Sequence, residues 1–374
     1  MKKVIGIYCG DLTDYKWDEE SILRYGGGGS ETWAVELAKA FQELGFHVIV
    51  FGNPEVWKFA ESGVEYVPFQ MYRHRIQYQK FDYFISSRHI SELDFDLSCQ
   101  NVYIMAHDIC LHYADTYEEM KMDRVKKIAY LSKWHQWTLS DWYKHDFNDT
   151  DSFLTANGVD LDLYKDASHT KKKNKMVWSS RSERGLRFML SYVFPRIRRF
   201  VNDFEMDVCL YMNEMGEDAF KDIEGVNFIG KVGKEELSRR QMESKLWVYP
   251  NFGFLDSNGS PFLETFCISA VENGMAQNAI ITSPLGGICT TLNGYGEFFG
   301  TDLMARDEET FNGHISGAEN LDKYADELAE AAIKVLTNEP YREMLAKNAY
   351  HVSKKYTWKN AALTWLKEWG LIYE

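Results

Sequence analysis

The segment Pro261–Glu272, PFLETFCISAVE, carries two glutamates, Glu264 and Glu272, with seven residues between them. On a helix their carboxylates stand ~12 Å apart along the axis, at ~1.5 Å rise per residue. That separation is too long for a shared proton or a shared metal ion. It suits one elongated ligand gripped at both ends, with the positive end of a helix meeting an anion between them. A sugar joined through a diphosphate to a ribose has this form. The pattern predicts a helix over Phe262–Met275, followed by the turn SPLGG at Ser283–Gly287.

Other residues are placed to meet such a ligand. Arg181 and Arg184, in SSRSERGL, follow the strand-length apolar run Met176–Ser179. Guanidiniums at a strand end can clamp a diphosphate and stabilise it as it leaves; an exposed basic turn is the alternative, and the position beyond a strand end favours the clamp. Gly26–Gly29 lie between a first strand and a helix. Such glycines admit a ligand close to the backbone and leave N–H groups at the helix start; a flexible loop accounts for them equally well. His107 and Asp108 end the apolar run Val102–Ala106. A histidine there can bond sugar hydroxyls or assist proton transfer, or be a structural imidazole satisfied by backbone.

Two D-x-D triplets, Asp94-Phe95-Asp96 and Asp160-Leu161-Asp162, are expected by chance in a chain with 56 acidic residues, and neither is read as a metal site. Tyr72, Arg73, His74, Arg75, Tyr78 and Lys80 make a basic aromatic patch, read first as solvated surface and alternatively as a contact for an acceptor or a membrane.

These residues need a scaffold, and the chain supplies strand and helix in alternation. Val4–Cys9, His47–Phe51, Tyr83–Ser86, Val102–Met105 and Ile128–Leu131 read as buried parallel strands. Ser30–Leu44 reads as a helix with Trp33, Leu37, Phe41 and Leu44 on one face, Ser30 as its cap and Gly45 as its end. Asn157-Gly158 is a turn signal, and the alternation restarts at Met176. Strands are expected at Val208–Tyr211, Val226–Ile229, Trp247–Tyr249 and Ala279–Thr282, and helices at Leu186–Phe200 and Lys234–Glu243. The reading is α/β, with two successive doubly wound domains facing across a cleft that receives ligands beyond the strand ends.

At 374 residues each domain is large enough for its own core. The hydrophobic fraction is 45% and the net charge −14, so nucleic acid is excluded as the main partner. The scattered cysteines show neither a disulfide framework nor zinc spacing and fit a reducing cytoplasm. No apolar run reaches the ~18 residues that span a bilayer, and peripheral membrane contact stays open.

Several segments, in order, resemble the group 1 class of GT-B glycosyltransferases, glycosyltransferase family 4. They are GGGGSETWAVELAKAFQELGFHVIVFG, MAHD, IAYLSKWHQ, NGVDLDLY, SSRSERGL, FIGKV, ETFCISAVENGMAQNAIITSPLGG and YTWKNAALTWL. The resemblance implies two Rossmann-like domains, 1–158 with 356–374 on the acceptor side and 159–355 on the donor side, with the closing helix Trp358–Trp369 crossing back to the first. It implies a hexosyltransferase-like enzyme of glycan synthesis that retains anomeric configuration without a metal or other cofactor. UDP- or GDP-sugar would be the donor, and the acceptor a glycan or a lipid-linked or protein-linked group. Glu264 and His107 would meet the donor sugar, Arg181 and Arg184 the diphosphate, Thr265, Phe266 and Cys267 the sugar or phosphate, Glu272 the ribose, and Gly28 and Gly29 the donor. The chain departs from the family in three places: Arg184 stands only three residues after Arg181, the loop Phe252–Ser260 before Glu264 is long, and ENGMAQNA stands where a small-residue turn usually follows the second glutamate. A nucleotide-sugar epimerase and a non-catalytic binding module remain as alternatives.

Overall fold

A computed structural model of the chain describes residues 2–10, 14–209, 222–251, 263–298 and 318–372. The loop Phe252–Ser260 lies outside the described residues. The chain divides into two compact units, 1–158 with 356–374, and 159–355.

In the first unit, β1 (Val4–Tyr8), β2 (His47–Gly52), β3 (Lys58–Phe59), β4 (Glu65–Pro68), β5 (Tyr83–Ser87), β6 (Val102–Met105), β7 (Lys127–Tyr130) and β8 (Ser152–Leu154) form one sheet. The strand order is β3-β4-β2-β1-β5-β6-β7-β8. All neighbours are parallel except β3, which runs antiparallel to β4. Ile5, Ile7 and Val48 to Phe51 are fully buried, as strands covered on both faces require. The short strands β3, β4 and β8 were not expected. Glu65 hides β4, because its carboxylate is buried yet satisfied by Trp57 Nε1 at 2.9 Å and by Arg75 Nη2 at 3.2 Å.

The first long helix, Gly29–Glu43, buries Trp33, Leu37 and Phe41. Its N-cap is Gly28 and not Ser30. Ser30 is inside the first turn, and its hydroxyl accepts instead from Arg88 Nη1 at 3.1 Å. Gly45 takes φ +95° just after the helix end.

The closing helix, Trp358–Glu368, is capped by Thr357, whose hydroxyl accepts from Asn360 N–H at 3.0 Å. Trp365 is fully buried, edge-to-face with Phe153 at 4.9 Å. Trp369 stacks on Tyr83 at 4.1 Å. Gly158 owes its identity to this helix: a Cβ there would lie 2.3 Å from Trp358 N.

In the second unit, β9 (Lys175–Trp178), β10 (Glu205–Val208), β11 (Val226–Phe228), β12 (Leu246–Tyr249), β13 (Ala279–Thr282) and β14 (Glu297–Phe298) form two parallel runs, β11-β10-β9 and β12-β13-β14. The runs meet where Lys245 N–H donates to Lys175 O at 3.2 Å. Trp178, Trp247 and Ile280 pack with Phe194, Ile197, Tyr324 and Leu328 in one core. The helix expected over Leu186–Phe200 is interrupted by a π turn at Met189–Val193. Pro195 has no N–H for the carbonyl one turn back, and the wider turn absorbs the mismatch. The helices Ala318–Thr337 and Glu339–Ser353 complete the unit.

Replacing Trp365 by Ala is expected to cost about 3–5 kcal/mol of unfolding free energy. Urea denaturation reads this directly; a loss well under 1 kcal/mol would show that the closing helix is not integral to the first unit.

Candidate active site

The helix carrying Glu272 begins at Ile268, not at Phe262. Glu264 therefore precedes it, and the axial spacing of a continuous helix does not apply. The stretch before the helix is tied elsewhere: Gly287 N–H donates to Glu264 O at 2.6 Å. Gly286 takes φ +68°, and a Cβ on it would lie 2.8 Å from Glu264 O. Cys267, the N-cap residue, adopts φ +74°, which for a residue with a side chain costs roughly 1–2 kcal/mol.

Glu264 is 7% exposed. Its Oε1 accepts from the Tyr249 hydroxyl at 2.7 Å and from Arg184 Nη1 at 3.0 Å. Tyr249 is the last residue of β12, and Arg184 sits in the turn after β9, next to Gly185 at φ +105°. Burial, and then the negative charge of Glu264, hold the Tyr249 phenol well above its ordinary pKa, so it stays a donor. The second acid, Glu272, is also buried, and its Oε1 accepts from Lys234 Nζ at 2.8 Å. Lys234 opens the helix Lys234–Met242, which Arg240 ties to the sheet through Asp207 at 2.7 Å. Thr265 is half-buried, and Phe266 and Cys267 are buried, on the stretch between the two acids. Burial raises the Cys267 thiol well above its usual range, so it is inert.

Arg184 thus joins Glu264, whereas Arg181 Nε pairs with Glu183 Oε1 at 2.6 Å. Tyr249 and Lys234 carry no mark in the sequence. One ends an apolar run, the other begins the charged string KEELSRR, and only the fold brings them to the acids. Each paired carboxylate is costly to strand, because removal of one partner leaves a buried charge uncompensated.

In the first unit, Gly28 N–H donates to the Tyr15 hydroxyl at 3.0 Å, and that hydroxyl bonds the Glu31 carboxylate. A Cβ on Gly28 would lie 2.2 Å from Glu31 Oε2. A phosphate at Gly28 and the exposed Gly29 would meet this acid. Burial raises the pKa of Glu31, with Arg88 opposing. His107, at the end of β6, packs edge-to-face on Trp33 at 4.9 Å. Burial, then Arg88, lowers its pKa to about 3, so at neutral pH it is an uncharged hydrogen-bonding group. His135 is likewise neutral, lowered to about 4 chiefly by burial. Leu131 N–H donates to its Nδ1 at 3.2 Å, so Nε2 carries the proton and donates to Asp108 O at 2.8 Å. Among the described residues no three His, Cys, Asp or Glu side chains come together as a metal site, and no helix is long and apolar enough to cross a membrane.

Solved structures repeat this order of elements over the whole chain. Sucrose-phosphate synthase from Thermosynechococcus elongatus aligns at 13% identity and TM-score 0.67, covering 99% of this chain and 98% of its own. A glycosyltransferase from Rickettsia africae aligns at 13% identity and TM-score 0.65, covering 98% of each. The chain has the GT-B fold. Anabaena HepE in complex with UDP-glucose, at 12% identity and TM-score 0.62, covers 99% of this GT-B chain and 100% of its own. No protein-family model and no curated protein sequence matches it.

The buried neutral histidines make stability depend on pH. His89 and His107 are lowered to about 3 and His135 to about 4, from an ordinary 6.5, with burial the leading cause in each. A lowered histidine favours folding fully above the unfolded value and loses that contribution as pH falls toward the folded one. The thermal midpoint is therefore expected to fall as pH drops from 6.5 toward about 4, with protons taken up on unfolding. A midpoint that stays constant over that window, with no proton uptake, contradicts this assignment.

Proposed function

We propose that the protein is a glycosyltransferase that moves a sugar from a UDP- or GDP-linked donor to an acceptor hydroxyl. The observation that carries this reading is the Glu264–Tyr249–Arg184 constellation, set on the same short stretch as Glu272. Its support is the fold, shared over the whole chain with a sucrose-phosphate synthase, a glycosyltransferase and HepE in complex with UDP-glucose.

In this reading Tyr249 and Arg184 occupy Glu264 Oε1 and orient Oε2 toward the sugar hydroxyls. Glu272, steadied by Lys234, accepts from the ribose hydroxyls. The leaving diphosphate gains negative charge as the glycosidic bond breaks. Arg184, Arg181 and the N–H groups around Thr265–Cys267 stabilise that charge without reorganising. His107 contributes as a neutral hydrogen-bonding group, because its lowered pKa suits it poorly to shuttle protons near neutral pH. The proposal includes retention of anomeric configuration, no metal requirement, and synthesis of a glycan or glycoconjugate in the cytoplasm.

The test is a turnover screen over UDP-, GDP-, ADP- and TDP-sugars, with the Glu264→Gln variant alongside. That variant keeps the shape and can still bond Tyr249 but loses the charge. Turnover is expected to drop by about 10²-fold or more, and the thermal midpoint to fall because Arg184 loses its paired charge, with the variant still folded by circular dichroism. Wild-type turnover by Glu264→Gln contradicts the mechanism, and release of an altered free sugar without acceptor contradicts transfer.

A further inference from the structure

The first unit holds a cavity of about 360 Å³ at the amino ends of β6 and β7. Val102, which opens β6, and Lys126, the residue before β7, both line it. Lys126 N–H donates to Val102 O at 2.7 Å, so both sit on one margin of the sheet. β6 ends at Met105, roughly 10 Å off at ~3.3 Å rise per residue, and His107 and Asp108 follow only there. No residue lining the cavity is one assigned above to the donor or the acceptor.

The walls are aliphatic. Leu93 and Val102 belong to the core of the unit, and Leu97 and Cys99 pack against it half-buried. Two tight turns bring them there: Leu97 N–H donates to Phe95 O, and Cys99 N–H to Leu97 O, each at 2.8 Å. Burial holds the Cys99 thiol up at about 11, so it stays neutral and adds no negative charge.

Two cations stand at this wall. Arg124 Nη1 donates to Leu93 O, and its Nη2 to Phe95 O at 3.2 Å, which fixes the guanidinium in place. A carbonyl satisfies an N–H but does not neutralise the charge. The neighbouring cations are matched: Lys127 pairs with Glu368 at 2.8 Å and Lys121 with Asp94 at 2.5 Å. Among the described residues no carboxylate pairs with Arg124 or Lys126, although the chain carries a net charge of −14 and has acids to spare. Two surface cations alone would mean solvation. Their place on the wall of an aliphatic hollow is what selects a ligand.

The size and lining narrow its chemistry. The cavity lies toward the lower end of the ~300–1,000 Å³ typical of small-molecule sites. No aromatic ring is among its lining residues, so it offers no flat face to a base or a sugar. We infer that it binds a short aliphatic chain ending in an anionic oxygen group, a carboxylate or a phosphate ester. Leu93, Leu97 and Val102 cover the chain, and Arg124 and Lys126 hold the anion, with the Gln100 amide as a further donor. The site is independent of the glycosyltransferase reading.

The experiment is isothermal titration calorimetry of the full chain with butanoate, octanoate, octyl phosphate and octanol, each below its micellar concentration. Lys126→Gln and Leu97→Trp are run alongside: the first removes a charge that the fold leaves unpaired, and the second fills the hollow. Octanoate or octyl phosphate is expected to bind at one site, with octanol about tenfold weaker or worse. From butanoate to octanoate the affinity is expected to rise about fourfold for each methylene buried. Lys126→Gln is expected to weaken binding about tenfold, and Leu97→Trp to abolish it. Should Leu97→Trp fail to fold, Lys126→Gln decides alone. The inference is overturned if neither anion binds the wild type, if octanol binds as tightly as they do, or if Lys126→Gln binds as the wild type does. Binding confined to phosphatidylglycerol vesicles, with none to the free anions, overturns it as well.

Discussion

The organisation of the second unit depends on how one residue, Glu264, is held at both its backbone and its side chain. Its carbonyl is taken by Gly287 from the turn after β13, and its carboxylate by Tyr249 from β12 and Arg184 from the turn after β9. Elements far apart in sequence thus converge on one acid. A buried carboxylate is tolerable only with such partners, since its desolvation must be offset by charge and by well-made hydrogen bonds. Beyond this residue the helix begins only at Ile268, with Cys267 before it in a left-handed conformation.

The second acid is positioned by a relay of buried charges. Asp207, on β10, accepts from Arg240 at 2.7 Å and from Lys175 at 3.2 Å. That pairing pins the helix Lys234–Met242 against the sheet, and the Tyr164 hydroxyl, donating to Gln241 Oε1 at 2.7 Å, pins it again. Lys234, at the start of the same helix, then reaches Glu272. The acids are therefore presented by separate supports within the second unit.

Much of this was legible in the sequence. The long apolar runs of β1, β2, β5, β6 and β7 announce themselves, because a strand buried on both faces has no polar alternation to hide it. Glu264, Glu272 and Arg184 were singled out by type and position. What escaped depends on non-local contact. The helix starts only at Ile268, after a Glu264 carbonyl bonded by Gly287 from beyond the next strand. Tyr249 looks like core, and Lys234 like solvated surface, until the fold turns them toward the acids. The strand β4 is masked by Glu65, whose partners come from three other segments: Trp57, Arg75 and, at 3.3 Å, His47. Pro195 sits inside a helical pattern, and the π turn before it follows from local chemistry that periodicity ignores.

The central claim is that a nucleoside diphosphate lies along the second unit from Glu264 to Glu272. A crystal structure of the chain soaked with UDP or GDP tests it most directly. The account predicts ribose hydroxyls on the Glu272 carboxylate and diphosphate oxygens within hydrogen-bond reach of Arg184 and the backbone at Thr265–Cys267. Nucleotide bound elsewhere, with Glu264 and Glu272 still sealed against their present partners and untouched by it, would contradict the account.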